Sequence, residues 1–334
     1  MKGEGEMAHD ILLSGKLIEI IETSRNNALR KVNEELIRMY WLVGEYLSIE
    51  SMKATFGDKY IDMISKEIQE MFPGIRGFNR RGLYRMKQFY ELYRDNAIVL
   101  PLLTQLSWSN HLLIMSGCKS DVEREFYMRL CIKENYSKRE LERQINSGYY
   151  ERYMLSKEKL LPEPIKGLKE NPFLDSYIIE FLDLPKNFKE SDLRKGLIQN
   201  MKEFILEVGK DFTFIDEEYR VQVGGEDFRI DLLFFHRGLQ CLVALELKIG
   251  KFKPEYVSKM DFYLEALDRQ KKKDNENPSV GMILCASKDD EVVEYAMSRT
   301  MSPMLVAEYK LQLPDKTVLQ KKLQELINMP LLEE

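Results

Sequence analysis

Two carboxylic acids and one amine interrupt strongly apolar sequence in the C-terminal half of the chain. Asp231 lies in the run Ile230 to Phe235, and Glu246 and Lys248 lie at the end of the run Cys241 to Leu247. The two runs are separated by a short His-Arg-Gly turn and predict adjacent β-strands that are buried on both faces. Charged side chains are unusual in such a setting, so these three are candidates for chemistry.

The predicted hairpin brings the three side chains to one place. If the chain folds back about residues 237–239, Asp231 lies opposite residues 244–246. Because strand side chains alternate, Glu246 and Lys248 point to one face of the strand and their leucine neighbours to the other. Two acids and one amine therefore converge at one end of the hairpin.

Neighbouring carboxylates of this kind favour metal-dependent phosphate chemistry. They repel each other unless a cation or a proton lies between them, and their oxygens suit Mg²⁺ or Mn²⁺. An adjacent lysine can hold or activate a water molecule that attacks a phosphate. The alternative is a salt bridge at a strand end, although a buried ion pair tends to lose more in desolvation than it gains in attraction. The spacing of the residues alone does not decide between a metal site and a salt bridge.

Composition restricts the classes of protein that fit. The 334 residues suffice for two domains with separate cores, and 44% hydrophobic with 31% charged residues is typical of a soluble protein. The net charge of −5 means that any nucleic-acid binding must depend on local basic patches. The four cysteines are widely spaced, which argues for a reducing cytoplasm and against structural zinc. With no membrane-spanning stretch and no signal peptide, we expect a cytoplasmic protein.

The N-terminal half carries helical patterns. Apolar positions at helical spacing predict one long helix, or two with a break, over residues 12–50, and a further helix after Asp58. Asn79 is a favourable N-cap for the next helix, after a turn that contains Pro73 and Gly74.

The turn and the helix after it, residues 72–94, are basic in a chain that is acidic overall. The candidate nucleic-acid-binding residues are Arg76, Arg80, Arg81, Arg85 and Lys87. A helix-turn-helix places basic residues near the start of its second helix, where they reach phosphates and base edges. A solvated helix face is an equal alternative.

A charged, proline-containing stretch divides the chain. We predict an N-terminal helical domain at residues 10–150, a linker at 151–170 and a second domain at 171–334. In the second domain the patterns predict helices at 173–182, from Ser191 to about Val208, after Pro254, at 291–299 and at 316–328, and strands at 219–223, in the hairpin, at 280–286 and at 304–309. This order predicts an α/β core with the hairpin in a central position.

With these elements in place, the sequence resembles the YhcG-type proteins of the PDDEXK nuclease superfamily over nearly its whole length. The matching phrases are VGGEDFRIDLLFFHR at 223–237, ELKIGKFKPEY at 246–256, KMDFY at 259–263, GMILC at 281–285, GFNRR at 77–81, MKQFY at 86–90 and LERQI at 141–145. The resemblance implies an α+β two-domain protein. An all-α N-terminal domain with a helix-turn-helix-like segment would precede an α/β restriction-endonuclease-like (PDDEXK) domain with a central mixed sheet.

The resemblance also assigns roles to residues. Asp231, Glu246 and the main-chain carbonyl of Leu247 would bind Mg²⁺ or Mn²⁺, and Lys248 would orient the attacking water. The superfamily often adds a glutamate from the first helix of the domain. Glu207 is our choice for that residue, with Glu203 as its competitor.

Further candidates follow the Glu-x-Lys strand. Many superfamily members carry Gln-x-x-x-Tyr on the next helix, whereas this chain has Lys259 and Tyr263, one turn apart. That departure leaves their role open between the catalytic site and a core tyrosine beside a solvated lysine. Lys251 and Lys253 follow Gly250 and are candidates for contact with substrate phosphates, or are surface lysines.

Together these features predict a metal-dependent endonuclease, that is, an Mg-dependent phosphodiesterase acting on DNA, with a helical domain that aids DNA binding. A non-catalytic nucleic-acid-binding or scaffold protein with the same fold, and a nuclease acting on RNA, are the alternatives. Double-strand cleavage by a single-site enzyme usually needs two active sites. A homodimer is therefore plausible on chemical grounds, with the long first helices as its candidate interface.

Overall fold

The computed structural model describes residues 3–53, 58–157 and 172–327. The chain divides into two compact units, Met1–Glu142 and Arg143–Glu334. The predicted linker at 151–170 differs from this division: its first residues lie in a helix of the second unit, and residues 158–170 lie outside the described part of the chain.

The described part of the first unit is helical. Its elements are α1 (Gly3–Lys53), α2 (Asp58–Met71), α3 (Arg80–Tyr93), α4 (Leu100–Leu103), α5 (Trp108–Gly117), α6 (Asp121–Glu134) and the start of α7 (Lys138–Asn146). The prediction of one long first helix is confirmed. Asn79 caps α3 as predicted, because its side-chain oxygen accepts a hydrogen bond of 2.9 Å from the amide of Gly82.

The C-terminal half of α1 packs closely against α3. At Gly44 an added Cβ would lie 2.1 Å from the carbonyl oxygen of Met86, so a larger residue would push the two helices apart. Trp41 meets the rings of Phe89 and Tyr90 edge-on beside this contact. Glycine at position 44 therefore sets the distance between the two helix axes.

The second unit contains a six-stranded mixed sheet. Its helices are α8 (Tyr149–Lys157), α9 (Glu190–Gln199), α10 (Met201–Val208), α11 (Glu255–Gln270), α12 (Asp290–Met297) and α13 (Lys316–Ile327). Its strands are β1 (Ser176–Ile178), β2 (Phe212–Val223), β3 (Glu226–His236), β4 (Cys241–Lys251), β5 (Val280–Ser287) and β6 (Met304–Lys310). They lie in the order β1-β6-β5-β4-β3-β2, antiparallel across β2, β3 and β4 and parallel elsewhere.

Hydrophobic side chains cover both faces of this sheet. Leu245 and Leu247 of β4 pack on one face with residues of α9 and α10, such as Leu197. Ala244 packs on the opposite face with residues of α11, such as Met260. The first eight residues of β4 are all buried, which confirms the prediction of a strand covered on both sides.

Three sequence-based predictions for the second unit were wrong in detail. Residues 176–178, predicted to be helical, form strand β1, because they pair in parallel with Glu308 to Lys310 of β6. Strand β2 begins at Phe212, before the predicted start at 219. The predicted helix from Ser191 to Val208 begins at Glu190 and is interrupted at Asn200, where the backbone leaves helical geometry.

Candidate active site

The predicted site lies where the sheet divides. Strands β3 and β4 pair from His236 with Cys241 as far as Leu232 with Leu245. Beyond that point β3 continues beside β2, and β4 continues beside β5. We call the point where β3 and β4 separate the fork of the sheet. Asp231 and Glu246 are the next residues along each strand, so both carboxylates lie at this fork.

Asp231 is fixed by its neighbours on both sides. Its Oδ2 atom accepts a hydrogen bond of 2.9 Å from the main-chain amide of Leu247, and its Oδ1 atom lies 3.4 Å from a guanidinium nitrogen of Arg194. Arg194 projects from α9 and also contacts Glu218 at 3.1 Å. The main-chain pairing of β3 and β4 has ended at this point. The carboxylate of Asp231 thus takes the place of a main-chain acceptor for the Leu247 amide.

Glu246 is the most deeply buried acid of the group, with 1% of its surface exposed. Burial raises its pKa, the negative charge of Asp231 raises it further, and Lys259 and Lys248 oppose the shift. Its Oε2 atom contacts the ammonium groups of Lys259 at 2.9 Å and Lys248 at 3.4 Å. Its Oε1 atom has no hydrogen-bond partner in the described part of the chain.

Lys248 places a positive charge among three acids. Its Nζ atom donates to the carbonyl oxygen of Leu247 at 2.9 Å and to Glu190 at 3.2 Å. Burial alone would lower its pKa, but the charges of Glu246, Glu190 and Asp231 outweigh this effect and raise the pKa. The ammonium group is therefore held in its charged form at the fork.

The departure from Gln-x-x-x-Tyr places a second ammonium group at the site. Lys259 of α11 donates to Glu246, and its Nζ atom lies 5.1 Å from the centre of the Tyr263 ring. Tyr263 is buried and donates from its hydroxyl to the carbonyl of Arg229 at 2.7 Å. Lys259 thus forms an ion pair with Glu246. Tyr263 links α11 to β3 by a hydrogen bond.

The donor set fits a divalent cation. Asp231, Glu246 and the Leu247 carbonyl offer oxygen ligands of the kind that Mg²⁺ and Mn²⁺ prefer. An unpartnered buried oxygen on Glu246 beside a second acid is an arrangement that a cation would satisfy. Among the described residues no group of three or more His, Cys, Asp and Glu side chains could hold a metal, so the set depends on the main-chain oxygen.

The structure does not bring Glu207, our sequence-based choice for the first-helix acid, into this group. Its buried carboxylate binds Arg152 at 2.7 Å, Arg143 at 2.9 Å and the amide of Ile178 at 2.7 Å. Burial would raise its pKa, but the two guanidinium groups outweigh burial and lower it. Glu207 thus joins α7, α8 and β1 to α10, and its competitor Glu203 is partly exposed on the same helix.

Two residues of the site, Glu190 and Arg194, were missed. Both project from α9, whose start was predicted one residue after Glu190. The spacing of an acid and a base four residues apart at the start of an amphipathic helix was the available signal. That signal is common on solvated helices, so it did not identify the site.

The predicted nucleic-acid-binding residues lie in both units. In the first unit Arg76 and Arg81 are exposed and Arg85 is partly exposed, whereas Arg80 contacts Asp62 at 3.1 Å and Lys87 contacts Glu91 at 3.7 Å. In the second unit Lys251 and Lys253 are exposed, at 3.9 Å from Asp289 and 3.7 Å from Glu255. Their ion pairs are at the surface, where such contacts are weak and exchange readily.

A helical region followed by a mixed sheet with Asp, Glu and Lys side chains at one point is the arrangement that the resemblance to PDDEXK nucleases predicts. The family model for the YhcG PDDEXK nuclease domain matches residues 170–324. The model for the DUF1016 N-terminal domain matches residues 16–152. The chain is therefore similar to YhcG-type PDDEXK nucleases over residues 170–324 and to the DUF1016 N-terminal family over residues 16–152.

Known proteins resemble the chain to different extents. The Escherichia coli (strain K12) protein named Putative nuclease YhcG is 29% identical over 352 aligned positions, which cover 94% of this chain and 93% of that protein. A repair endonuclease from Pyrococcus abyssi is 20% identical, covers 39% of this chain and 50% of its own, and has a TM-score of 0.26. The apo form of EndoMS is 16% identical with the same TM-score, covering 39% and 49%. The chain thus spans about half the length of each of these two solved structures, whose low TM-scores leave the fold assignment to the family match.

None of the helices in the described ranges is both long and apolar enough to cross a bilayer.

Proposed function

We propose that the chain is a divalent-metal-dependent endonuclease that hydrolyses phosphodiester bonds in DNA. The observation that carries the proposal is the convergence of Asp231, Glu246 and Lys248 at the fork of the sheet, with a buried oxygen of Glu246 left without a partner. A structural salt bridge would not place two acids together and leave one oxygen unsatisfied.

Asp231, Glu246 and the carbonyl of Leu247 would hold the cation. A bound Mg²⁺ or Mn²⁺ would polarise the phosphate and lower the pKa of a water molecule. In this chain the hydrogen bond from the Leu247 amide fixes the orientation of Asp231. Leu247 thus would use its amide to hold Asp231 and its carbonyl to bind the cation. Both ligands would therefore be positioned by the same peptide segment.

Lys248 would orient the attacking water and stabilise the charge that develops on the phosphate. Its Nζ atom is held by the Leu247 carbonyl and by Glu190, so its position does not depend on the substrate. Glu190 takes the place that we assigned to Glu207 and acts as a positioning residue for this lysine. Lys259 would favour the ionised form of Glu246 and so oppose the upward shift that burial and Asp231 cause in its pKa.

The helical N-terminal unit would assist DNA binding through its basic segment. Arg76 and Arg81 expose their guanidinium groups beside the capped start of α3. Helix-turn-helix proteins contact phosphates and base edges from this position. Lys251 and Lys253 in the second unit would contact phosphates nearer the scissile bond. We further infer a cytoplasmic location, which the wide spacing and the burial of the four cysteines support.

Cleavage of plasmid DNA tests the proposed activity. Supercoiled plasmid incubated with the full chain and Mg²⁺ or Mn²⁺ should be nicked or linearised, and EDTA should stop the reaction. Asp231→Asn and Lys248→Met should each remove at least about 99% of the activity, in line with the loss of a group that acts in the transition state. Asp227→Asn is the matched control, because Asp227 is an exposed acid on the same strand.

The outcomes separate the alternatives. Activity that survives Asp231→Asn in a folded protein overturns the proposed site. Cleavage of labelled RNA in preference to plasmid identifies RNA as the substrate. DNA binding without cleavage at any divalent metal concentration identifies a non-catalytic binding protein.

Binding measurements test the role of the basic segment. Replacing Arg76, Arg81 and Arg85 together by Gln should weaken DNA binding and reduce the slope of log K against log salt by about 0.9 for each lost phosphate contact. Arg129→Gln is a control, since Arg129 is a surface arginine on α6 that pairs with Glu125. An unchanged slope would contradict DNA contact by this segment.

A further inference from the structure

Helix α1 carries a second apolar face whose side chains are exposed in the described chain. Its core face, with Ile37, Tyr40, Gly44 and Leu47, packs inside the first unit. On the opposite side an exposed stripe runs along the helix at spacings of three and four residues. Its apolar members are Leu17, Ile21, Ala28, Val32, Met39, Leu42, Tyr46 and Ile49.

Residues 16–32 of this helix are not packed against the rest of the described chain. Every side chain from Lys16 to Val32 is exposed. Most helical stability in proteins comes from packing of an apolar face, and an isolated helix of about 15 residues is marginal in water. The segment contains Thr23, Ser24, Asn26 and Asn27, which are weak helix formers. A partner that covers the stripe would supply the missing stabilisation.

We propose that the exposed stripe of α1 is the interface of a homodimer in which two α1 helices pair antiparallel. The charge distribution along the helix identifies a second copy as the occupant. Residues 16–31 contain four basic residues and two acidic residues (Lys16, Arg25, Arg30, Lys31; Glu19, Glu22). Residues 34–50 contain four acidic residues and one basic residue (Glu34, Glu35, Glu45, Glu50; Arg38). Antiparallel pairing places the basic half of each helix against the acidic half of the other.

The side chains also complement each other in this arrangement. Centring the pair between Asn33 and Glu34 places Ile21 opposite Tyr46 and Ala28 opposite Met39, and it places Leu17 and Ser24 within one residue of Ile49 and Leu42. Large residues thus face small ones near the middle, where the helix axes approach. Glu35, an acid within the stripe, would lie beside Lys31 of the second copy.

The area suffices for a stable contact. From Leu17 to Ile49 the stripe is about 48 Å long, and a helix is about 10–12 Å wide, so the pair would bury roughly 1,000 Å² in total. That is about the minimum for a specific interface. An apolar cleft of about 280 Å³ beside Leu42, lined also by Ile37, Trp41, Leu100 and Leu103, extends the surface sideways.

Solution mass is the first test, and it involves neither nucleic acid nor cleavage. Sedimentation velocity or light scattering of the full chain should give twice the monomer mass. Leu42→Glu and Ile21→Glu should each raise the dissociation constant at least about 100-fold, because a pair of uncompensated charges would be buried. Val122→Glu is the matched control: Val122 is 62% exposed on α6, and Leu42 is 61% exposed. A monomeric wild-type protein, or a dimer unaffected by both α1 variants, overturns the proposal.

Cysteine cross-linking tests the orientation. The four native cysteines are buried, so introduced cysteines can be oxidised selectively. A mixture of Ile21→Cys and Tyr46→Cys chains should form the mixed disulfide in preference to either homodisulfide. Preferential Ile21→Cys homodisulfides would indicate parallel pairing and contradict the antiparallel arrangement. Amide exchange supplies an independent readout, since residues 16–32 should be protected in the wild-type dimer and unprotected in Leu42→Glu.

Discussion

Asp231 accepts a hydrogen bond of 2.9 Å from the main-chain amide of Leu247 on the neighbouring strand. The last main-chain pair of β3 and β4 is Leu232 with Leu245, so the bond joins the next residue of β3 to the second residue further along β4. A side chain therefore continues the ladder at the point where the two strands separate. Because asparagine keeps an oxygen at this position, Asp231→Asn removes the charge without removing the acceptor.

Glu190 should affect turnover more than folding. It is partly exposed at the start of α9, and its Oε2 atom lies 3.2 Å from Lys248 Nζ. Glu190→Gln keeps an acceptor but removes the charge that holds the ammonium group, so kcat should fall about 10- to 100-fold, as for other residues that position a ligand or an acid–base group. Rescue by Glu190→Asp is expected to be partial. Multiple-turnover cleavage of a labelled duplex measures the effect.

Glu291→Gln is the control for that experiment, because Glu291 is an exposed acid in the first turn of α12. Equal activity of Glu190→Gln and Glu291→Gln would show that Lys248 is positioned without Glu190.

Lys259 should compete with the cation for Glu246. Its Nζ atom donates a 2.9 Å hydrogen bond to Glu246 Oε2, and a bond to a charged group contributes about 1.5–3 kcal/mol. Lys259→Met should therefore lower the half-saturating Mg²⁺ or Mn²⁺ concentration by at least about tenfold. The rise in melting temperature during a metal titration reports this concentration without any need for cleavage.

Lys202→Met, at an exposed position on α10, serves as the comparison for Lys259→Met. Weaker metal binding in Lys259→Met would mean that the ammonium group supports the cation site instead of competing with it.

Glu207 should be essential for stability. Its carboxylate lies between Arg152 and Arg143, and removal of one partner from a buried ion pair costs about 3–5 kcal/mol. Glu207→Gln should lower the free energy of unfolding by that amount, measured by urea denaturation. Glu203→Gln, four residues earlier on α10, should change it by less than about 0.5 kcal/mol. A stable but inactive Glu207→Gln protein would restore our original assignment of Glu207 to the catalytic group.

His111 should make the first unit sensitive to acid. It is fully buried, and burial lowers its pKa from 6.5 to about 4. Its Nε2 atom lies 2.8 Å from the carbonyl of Leu103, so the neutral ring donates there. Between these pKa values the unfolded chain binds a proton that the folded chain does not. Stability is therefore complete above pH 6.5 and decreases by about 3 kcal/mol as the pH falls to about 4.

Comparison with His111→Gln isolates this contribution, because the other titrating groups are common to both proteins. The difference in melting temperature between the two should shrink as the pH is lowered from 7 to 4. A difference that stays constant over that range would show that the pKa of His111 is the same in the folded and the unfolded protein.

The hairpin residues of the site could be predicted from the sequence because their geometry is local. Alternation along β4 and the position of the turn were enough to place Asp231 opposite residues 244–246 and so beside Glu246. The three-residue strand β1 could not be predicted, since its structure depends on pairing with β6 near the other end of the domain. Glu190 and Arg194 were missed for a similar reason: only tertiary packing brings α9 to the fork.

Electrostatic contacts explain why neither glutamate of α10 lies with Asp231 and Glu246. Glu207 lies near the end of its helix, as the sequence indicated, and the structure shows that its side chain is buried. Its partners Arg143 and Arg152 lie on helices that are distant in the sequence, so no local sequence pattern predicts these ion pairs. A buried acid is therefore a poor guide to catalysis until its counter-ions are known.

The position of Asp231, Glu246 and Lys248 within a single hairpin also bears on the order of folding. Hairpins close in about 1–10 μs, whereas contacts between distant parts of a chain form more slowly. The carboxylates should thus meet early, while the parallel pairing of Ser176 with Glu308 completes the opposite edge of the sheet late. Substitutions in β1 would then slow maturation of the domain and leave the chemistry of the finished protein intact.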